Sequence, residues 1–290
     1  MPLRSDGRVR VRLAPYLQVA PLTAVFTLFL AIPLATLVVV SFYDYDSVQI
    51  IPAFIWQNYH DAIFSSTTWL TYLNTLKYVL IVWSLTFLLG FWLSFFLAFY
   101  VQSRTMQMVL FLVCTVPFWT SNMIRMIAWV PFLGRNGLLN QALLSVGLIH
   151  QPLEFLLFSD FAVVLAFVHL DTVFMLVPIF NTMARIDKRL IEAAYDAGAG
   201  FWDIVLNIVL PLTKPGIAIG SIFVFTLVMG DFITVRLMSG GQSASVDLMI
   251  QNQIALLQYP AAAANAVILL LIVLLMVAAM LRIVDIRKEL

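Results

Sequence analysis

The stretch YVLIVWSLTFLLGFWLSFFLAFYVQS, residues 78–103, contains no charged side chain. A helix needs only about 20 apolar residues, rising ~1.5 Å each, to cross the hydrocarbon core of a bilayer. The run does not alternate apolar and polar residues, as a barrel strand would. It reads as a transmembrane helix, and the whole chain follows suit. Of 290 residues, 62% are hydrophobic and 11% charged, against ~45–50% and ~25% in an average globular protein. Folded in water, such a chain would expose apolar surface that no core of this size could hide. The 23 Phe exclude a disordered chain, and a net charge of +1 leaves little to attract nucleic acid. A single cysteine excludes a disulfide framework and a thiolate metal site.

Working outward, a first span fits within 16–42, where Arg12 is the only charge near the start of the run. Further apolar runs follow at 105–124, at 161–184 interrupted only by Asp171, and at 215–235 interrupted only by Asp231. The last, 248–281, is charge-free, with its span placed from Ala263. Six helices result. Basic residues accumulate on the cytoplasmic side, and twelve of the 16 Lys and Arg fall on one side of this arrangement. Arg4, Arg8, Arg10 and Arg12 precede span one, and Arg104 separates spans two and three. Arg185, Lys188, Arg189 and Lys214 separate four and five; Arg282, Arg287 and Lys288 follow six. Both termini are therefore expected in the cytoplasm. The opposite loops carry Asp44, Asp46, Asp61, Glu154, Asp160 and Asp247. The first apolar run is long for a signal peptide and lacks a clear small-x-small cleavage site, so an uncleaved span is expected.

The connection 185–214, RIDKRLIEAAYDAGAGFWDIVLNIVLPLTK, is long and patterned. Asp187 suits a helix N-cap, and Leu190, Ile191, Ala194 and Tyr195 share one helical face. Gly198 suits a left-handed turn. Trp202, Val205 and Val209 recur at helical spacing until Pro211 and Pro215 end that helix and begin the next span. The expectation is a helix–turn–helix against the cytoplasmic face. Periodicity alone equally allows an amphipathic connector resting on lipid headgroups.

Glu192-Ala193-Ala194, Gly198 and Ile208-x-Leu210-Pro211, at these spacings, resemble the EAA loop of ABC importer permeases. Seven specified residues match by chance on the order of 10⁻⁸ to 10⁻⁷ per start position at ordinary residue usage. The resemblance implies a coupling helix that docks into a cleft of an ATP-hydrolysing subunit. Ala193 and Ala194 would allow close approach, Gly198 the turn, and Glu192 a polar contact. Gly200 departs from the small polar residue usual there. A second set narrows the resemblance to the permeases of spermidine and putrescine importers. It comprises Val116-Pro117-Phe118-Trp119-Thr120, Ile124-Arg125, Gly134-x-x-Gly137-Leu138-Leu139-Asn140, Phe174-Met175-x-x-Pro178 and Gly240-Gly241. Asp171-Thr172-Val173 departs from that pattern, where relatives usually have an apolar residue and a proline.

An ionisable group at the bilayer centre costs about 2.5–3.5 kcal/mol on insertion scales and calls for a reason. Asp171 lies roughly 15 Å into span four, and Asp231 about 24 Å from the cytoplasmic end of span five. Both are candidates for lining a path and offsetting a cationic solute. Asp231 can alternatively form a structural ion pair with Arg236 or Arg125, and Asp171 an interhelical hydrogen bond. His169 is excluded as its partner, because residues two apart face different sides of a helix. Trp119 and Asn122, beside the Pro117 break, are expected to face a cavity, since broken helices at membrane depth line water or protein. Trp56, Trp69 and Tyr72 suit either cation–π contacts or an interfacial belt. His60, His150 and His169 are scattered, so no metal site is expected, and Cys114 reads as a buried, inert thiol. No phosphate-binding G-x-x-x-x-G-K-[ST] sequence is present, and no catalytic constellation assembles.

The expectation is thus an all-α integral membrane protein. It has a cytoplasmic segment 1–15, one permease domain 16–284 with its coupling loop at 185–214, and a cytoplasmic tail 285–290. The resemblance implies a bacterial inner-membrane location and alternating access driven by a partner ATPase dimer that binds ATP and Mg. It further implies a second, similar permease and a periplasmic solute-binding protein docking on 44–69 and 134–158, with no nucleic acid involved. Alternative solutes within the family are an opine, an amino-acid derivative or an aminophosphonate. An ion-coupled secondary transporter is the rival of a different energetic class, and it should show inverted repeats.

Overall fold

The computed structural model describes residues 13–46 and 49–283. A first helix, α1, occupies residues 13–40 with one π turn at Thr27–Ala31. Asp44–Tyr45 (β1) and Ile50–Ile51 (β2) form a small antiparallel pair, Asp44 opposite Ile51. Then come α2 (Gln57–Phe64) and α3 (Ser66–Phe95), the latter extended by a π turn at Phe96–Tyr100. α4 (Arg104–Thr115), α5 (Asn122–Leu133), α6 (Leu138–Ser145) and α7 (Asp160–Met183) follow. α8 (Lys188–Asp196) and α9 (Phe201–Leu212) occupy the patterned connection. α10 (Lys214–Met229), α11 (Phe232–Met238), α12 (Val246–Ala255) and α13 (Tyr259–Ile283) complete the described chain.

Helix starts follow local chemistry. The side chains of Ser65, Ser103, Ser159 and Ser245 each accept a backbone N–H from the first turn of α3, α4, α7 and α12. Such caps satisfy donors that a helix start leaves without partners.

Four helical stretches among the described residues are long and apolar enough to cross a membrane: Gln18–Val40, Ser66–Tyr100, Glu154–Met183 and Tyr259–Arg282. Two bent pairs raise the count to six if each is one span. They are Arg104–Trp119 with Asn122–Ser145, bent by 90°, and Phe201–Leu212 with Lys214–Met229, bent by 67°.

Several expected boundaries are corrected. The expected span 105–124 is not straight. It turns where Pro117 enters a 3-10 turn and Thr120 becomes extended, because proline has no N–H to continue the ladder. The expected span 215–235 stops at Met229, Gly230 follows, and Asp231 lies outside α10 as the N-cap of α11. The second helix begins twelve residues before its charge-free run. Lys77 is tolerated there because its Nζ lies 2.6 Å from Asp160 Oδ2. The last helix starts at Tyr259 rather than Ala263, after a left-handed Leu257 with φ of 63°. The tail 285–290 and most of segment 1–15 lie outside the described residues.

The core is the packing of α3, α7 and α10 around Met175, which is fully buried. A Cβ on Gly90 of α3 would fall 3.0 Å from Met175 Cγ, and one on Gly220 of α10 would fall 2.8 Å from Met175 Sδ. A Cβ on Gly216 would overlap the Pro178 carbonyl and Thr182 Oγ1. Gly216 and Gly220 are four apart, so one bare stripe lets α10 lie against α7. Interhelical hydrogen bonds add to it. Trp83 Nε1 donates to Ser221 Oγ at 2.8 Å, and Ser94 Oγ donates to the Leu176 carbonyl at 3.1 Å. Gly216→Val or Gly220→Val should destabilise the bundle by roughly 1–3 kcal/mol or more through overpacking. Thermal unfolding of purified protein in detergent should show the drop, and an unchanged melting temperature would refute this account of the packing.

Candidate functional site

A cavity of about 490 Å³ opens where the two helix breaks meet α7, and its polar lining is Asn122, Arg125, Asp171, Thr120, Thr226 and Asp231. Each break contributes. The turn after Trp119 starts α5 at Asn122 and puts Arg125 one turn further on. The end of α10 at Gly230 frees Asp231, whose carboxylate accepts from the Thr234 N–H at 3.0 Å and Thr234 Oγ1 at 2.6 Å. Asn122 Nδ2 donates to Asp231 Oδ2 at 3.1 Å, joining the two breaks.

Three of the four residues expected to line a path, Asp171, Asp231 and Asn122, thus share one cavity. Trp119 does not. It is 81% exposed and lies outside the lining. The ion-pair alternative for Asp231 is not realised. Among the described residues the pairs are His60–Asp61, Lys77–Asp160, Arg135–Glu154 and Arg189–Asp187. His169 accepts from Trp129 Nε1 at 3.3 Å, on a different side of α7 from Asp171.

Four buried polar atoms in this lining have no hydrogen-bond partner: Asn122 Oδ1, Arg125 Nε, Arg125 Nη1 and Asp171 Oδ2. Asp171 is itself only 5% exposed. An unmet buried polar atom, above all a charged one, is costly. Four in one cavity mark a place where complementary groups would be stabilised. Arg125 was legible in the sequence only as a motif residue and as a possible ion-pair partner of Asp231. Nearby, burial pushes the Asp247 carboxyl up to about 6, Asp231 adds to the shift, and the Phe232 backbone opposes it. Asp247 therefore holds its proton more readily than an ordinary surface carboxylate.

At the opposite end of α10, the patterned connection folds as two helices. Asp187 caps α8 by accepting from the Arg189 N–H, and the Arg189 side chain holds its carboxyl below the usual range. Gly198 is left-handed, with φ of 87°, and the Ala199 N–H closes the turn on the Ala194 carbonyl at 2.9 Å. Ile191 and Ala194 pack inward, while Glu192 and Ala193 are exposed. Leu190 and Tyr195, expected to share one helical face with Ile191 and Ala194, are 47% and 52% exposed. On α9, Val205 and Val209 are buried, and Ile208 and Leu210 pack against the core. Trp202 instead turns outward, edge-on to Trp92. Pro211 does not end α9, which continues through Leu212 after a π turn at Val205–Val209.

Comparison with known proteins bears on these features. The model of the family described as "Binding-protein-dependent transport system inner membrane component" matches residues 87–288. The chain is 33% identical over 156 residues to the spermidine/putrescine transport system permease protein PotB of Haemophilus influenzae. That match covers 54% of each protein, so it spans about half the length of this curated relative. It is 28% identical over 243 residues to the inner membrane ABC transporter permease protein YdcU of Escherichia coli, covering 80% of this chain and 77% of the relative. In fold it is similar to a chain from the crystal structure of a bacterial alginate ABC transporter in complex with alginate pentasaccharide-bound periplasmic protein. The TM-score is 0.74 at 18% identity, over 92% of each chain. With a mostly helical architecture, several membrane-crossing helices and a family match over most of its length, the chain belongs to the inner-membrane components of binding-protein-dependent transport systems.

Proposed function

We propose that this protein is the permease subunit of an ATP-driven importer for polyamines such as spermidine and putrescine. The observation that carries the solute reading is the cavity of Asp171, Asp231 and Asn122, with Asp171 Oδ2 and Asn122 Oδ1 buried and unpartnered. Both atoms are acceptors, and an ammonium group supplies donors and charge together. The likeness to a PotB permease supports the same solute class. The six spans are α1, α3, the bent α4–α5 pair, α7, α10 and α13. The basic residues between spans four and five set α8 and α9 on the cytoplasmic face.

In this reading Glu192 and Ala193, exposed on α8, meet the ATPase subunit. Ala194 and Ile191 tie α8 to the bundle, Gly198 sets its angle, and Ile208, Leu210 and Pro211 fix α9 to the core. ATP and Mg belong to the partner. A second, similar permease completes the path, and a periplasmic solute-binding protein delivers the solute. The alginate transporter of the same fold, in complex with a periplasmic protein, supports such an arrangement. Binding and hydrolysis of ATP bias the permease between outward- and inward-open states.

A second solute reading has its own observation. Arg125 Nε and Nη1 are unpartnered donors in the same cavity, and they suit a solute with a carboxylate or phosphonate beside its ammonium. An amino-acid derivative, an opine or an aminophosphonate fits that description.

Asp231→Asn should lower polyamine uptake tenfold or more, about what losing a charged hydrogen bond costs, while the complex still assembles and hydrolyses ATP. Unchanged uptake kinetics in proteoliposomes would remove Asp231 from the path. Arg125→Leu separates the two solute classes: polyamine uptake should persist, whereas uptake of an amphoteric solute should collapse. At the loop, Ala193→Trp should leave the fold intact and weaken co-purification of the ATPase subunit about tenfold, because bulk replaces a close contact. Undiminished co-purification would exclude Ala193 from the docking face.

A further inference from the structure

Two cavities open along the groove between α7 and α10. One is the acidic cavity already described. The other, about 780 Å³, is lined by Pro178, Asn181 and Arg185 on one side and Pro215, Ile219 and Phe223 on the other. The two linings meet at a pair of rings. Phe174 belongs to the first cavity and Phe223 to the second, with centroids 6.1 Å apart. Phe118, also lining the first, meets Phe174 edge-on at 5.5 Å. We propose that Phe118, Phe174 and Phe223 form an aromatic constriction that divides the solute path into an outer acidic chamber and an inner chamber, and that it selects slender alkylammonium chains.

Spacing along α7 orders the elements. Phe174 lies one turn beyond Asp171, and Asn181 lies two turns beyond Phe174, so carboxylate, ring and amide follow one another down the groove. The rings are not core packing. Phe118 is 55% exposed and Phe223 46%, and Phe174 is half-buried beside them. Apolar rings at a narrow point exclude water and simple ions, while their faces attract an ammonium group. Pro178 adds a polar step, because it has no N–H to give the Phe174 carbonyl one turn earlier. An ammonium leaving Asp171 thus meets a ring face, then a carbonyl with spare acceptor capacity, then Asn181. A bulky head would have to part these rings, and an anionic one would meet no hydrogen-bond donor on them.

The inference rests on the pathway and orientation proposed above, and a test that needs no solute separates the two. In a Cys114→Ser background, Ile219→Cys reports on the inner chamber and Thr226→Cys on the outer one. Inside-out vesicles carrying the assembled resting transporter are treated with a membrane-impermeant trimethylammonium methanethiosulfonate. With the rings intact, the thiol of Thr226→Cys should react at least about tenfold more slowly than that of Ile219→Cys. Adding Phe174→Ala and Phe223→Ala should bring the two rates within about twofold. Phe223→Ala alone, at a half-exposed position that does not endanger folding, should narrow the gap measurably. Equal rates with all three rings present, or a gap that survives their removal, would overturn the constriction. If Asp231→Asn still impairs uptake in that case, the path stands and only the constriction falls.

Discussion

The core of the described residues is built around the contact of α10 with α7. Helices in a membrane gain no hydrophobic energy from each other, since lipid tails are as apolar as leucine, and they associate through close packing and a few hydrogen bonds. Gly216 and Gly220 supply that closeness, one against Pro178 and Thr182, the other against Met175. Gly90 brings α3 to the same methionine from another side. The cavity lined by Pro178 and Thr182 borders this contact directly, and the acidic cavity lies further along α10, toward Gly230 and Asp231.

The acidic cavity depends on helices that stop short. A continuous helix would satisfy its own backbone and turn its side chains toward lipid or neighbours. Pro117 and Gly230 interrupt two helices at the same place, and the chain re-enters helix through Asn122 and Asp231. Each of these residues both starts a helix and faces the cavity. Asp231 spends acceptor capacity on capping α11, while Asp171, in the middle of an unbroken helix, has no such use for its carboxylate. The unmet acceptors therefore concentrate on Asp171 and Asn122, and the unmet donors on Arg125.

Length and apolarity made four helices long enough to cross a membrane legible in the sequence, because the bilayer imposes both. Asp187 and Gly198 were equally legible, as each performs a local task that neighbouring residues specify. The bends were not. Pro117 announces a break but not a 90° turn, and nothing local distinguishes Asp231 within a helix from Asp231 capping the next one. Trp119 does not line this cavity, because proximity to a break does not fix the side to which a ring points. Phe174 was visible only as a motif residue, and Arg125 as a motif residue and possible ion-pair partner, since their surroundings are contributed by several helices at once.

The placement of the glycine contact bears on how the two ends of α10 communicate. Gly216 and Gly220 lie in its first two turns, next to α9, whereas Gly230 and Asp231 lie at its far end. From Gly216 to Asp231 is roughly 22 Å of helix rise. A rigid tilt of about 5° about that contact would move the far end by roughly 2 Å, carrying with it the bundle residues packed on Val224, Val228 and Met229, which are buried. Under the proposed coupling, motion of α8 and α9 is applied beside the pivot and appears, enlarged, at Asp231. The Phe174–Phe223 boundary lies between, so the same tilt changes the gap between these rings less than it changes the mouth of the acidic cavity. Under the proposed coupling, a small displacement at the loop would therefore shift the mouth of the acidic cavity more than it shifts the ring pair.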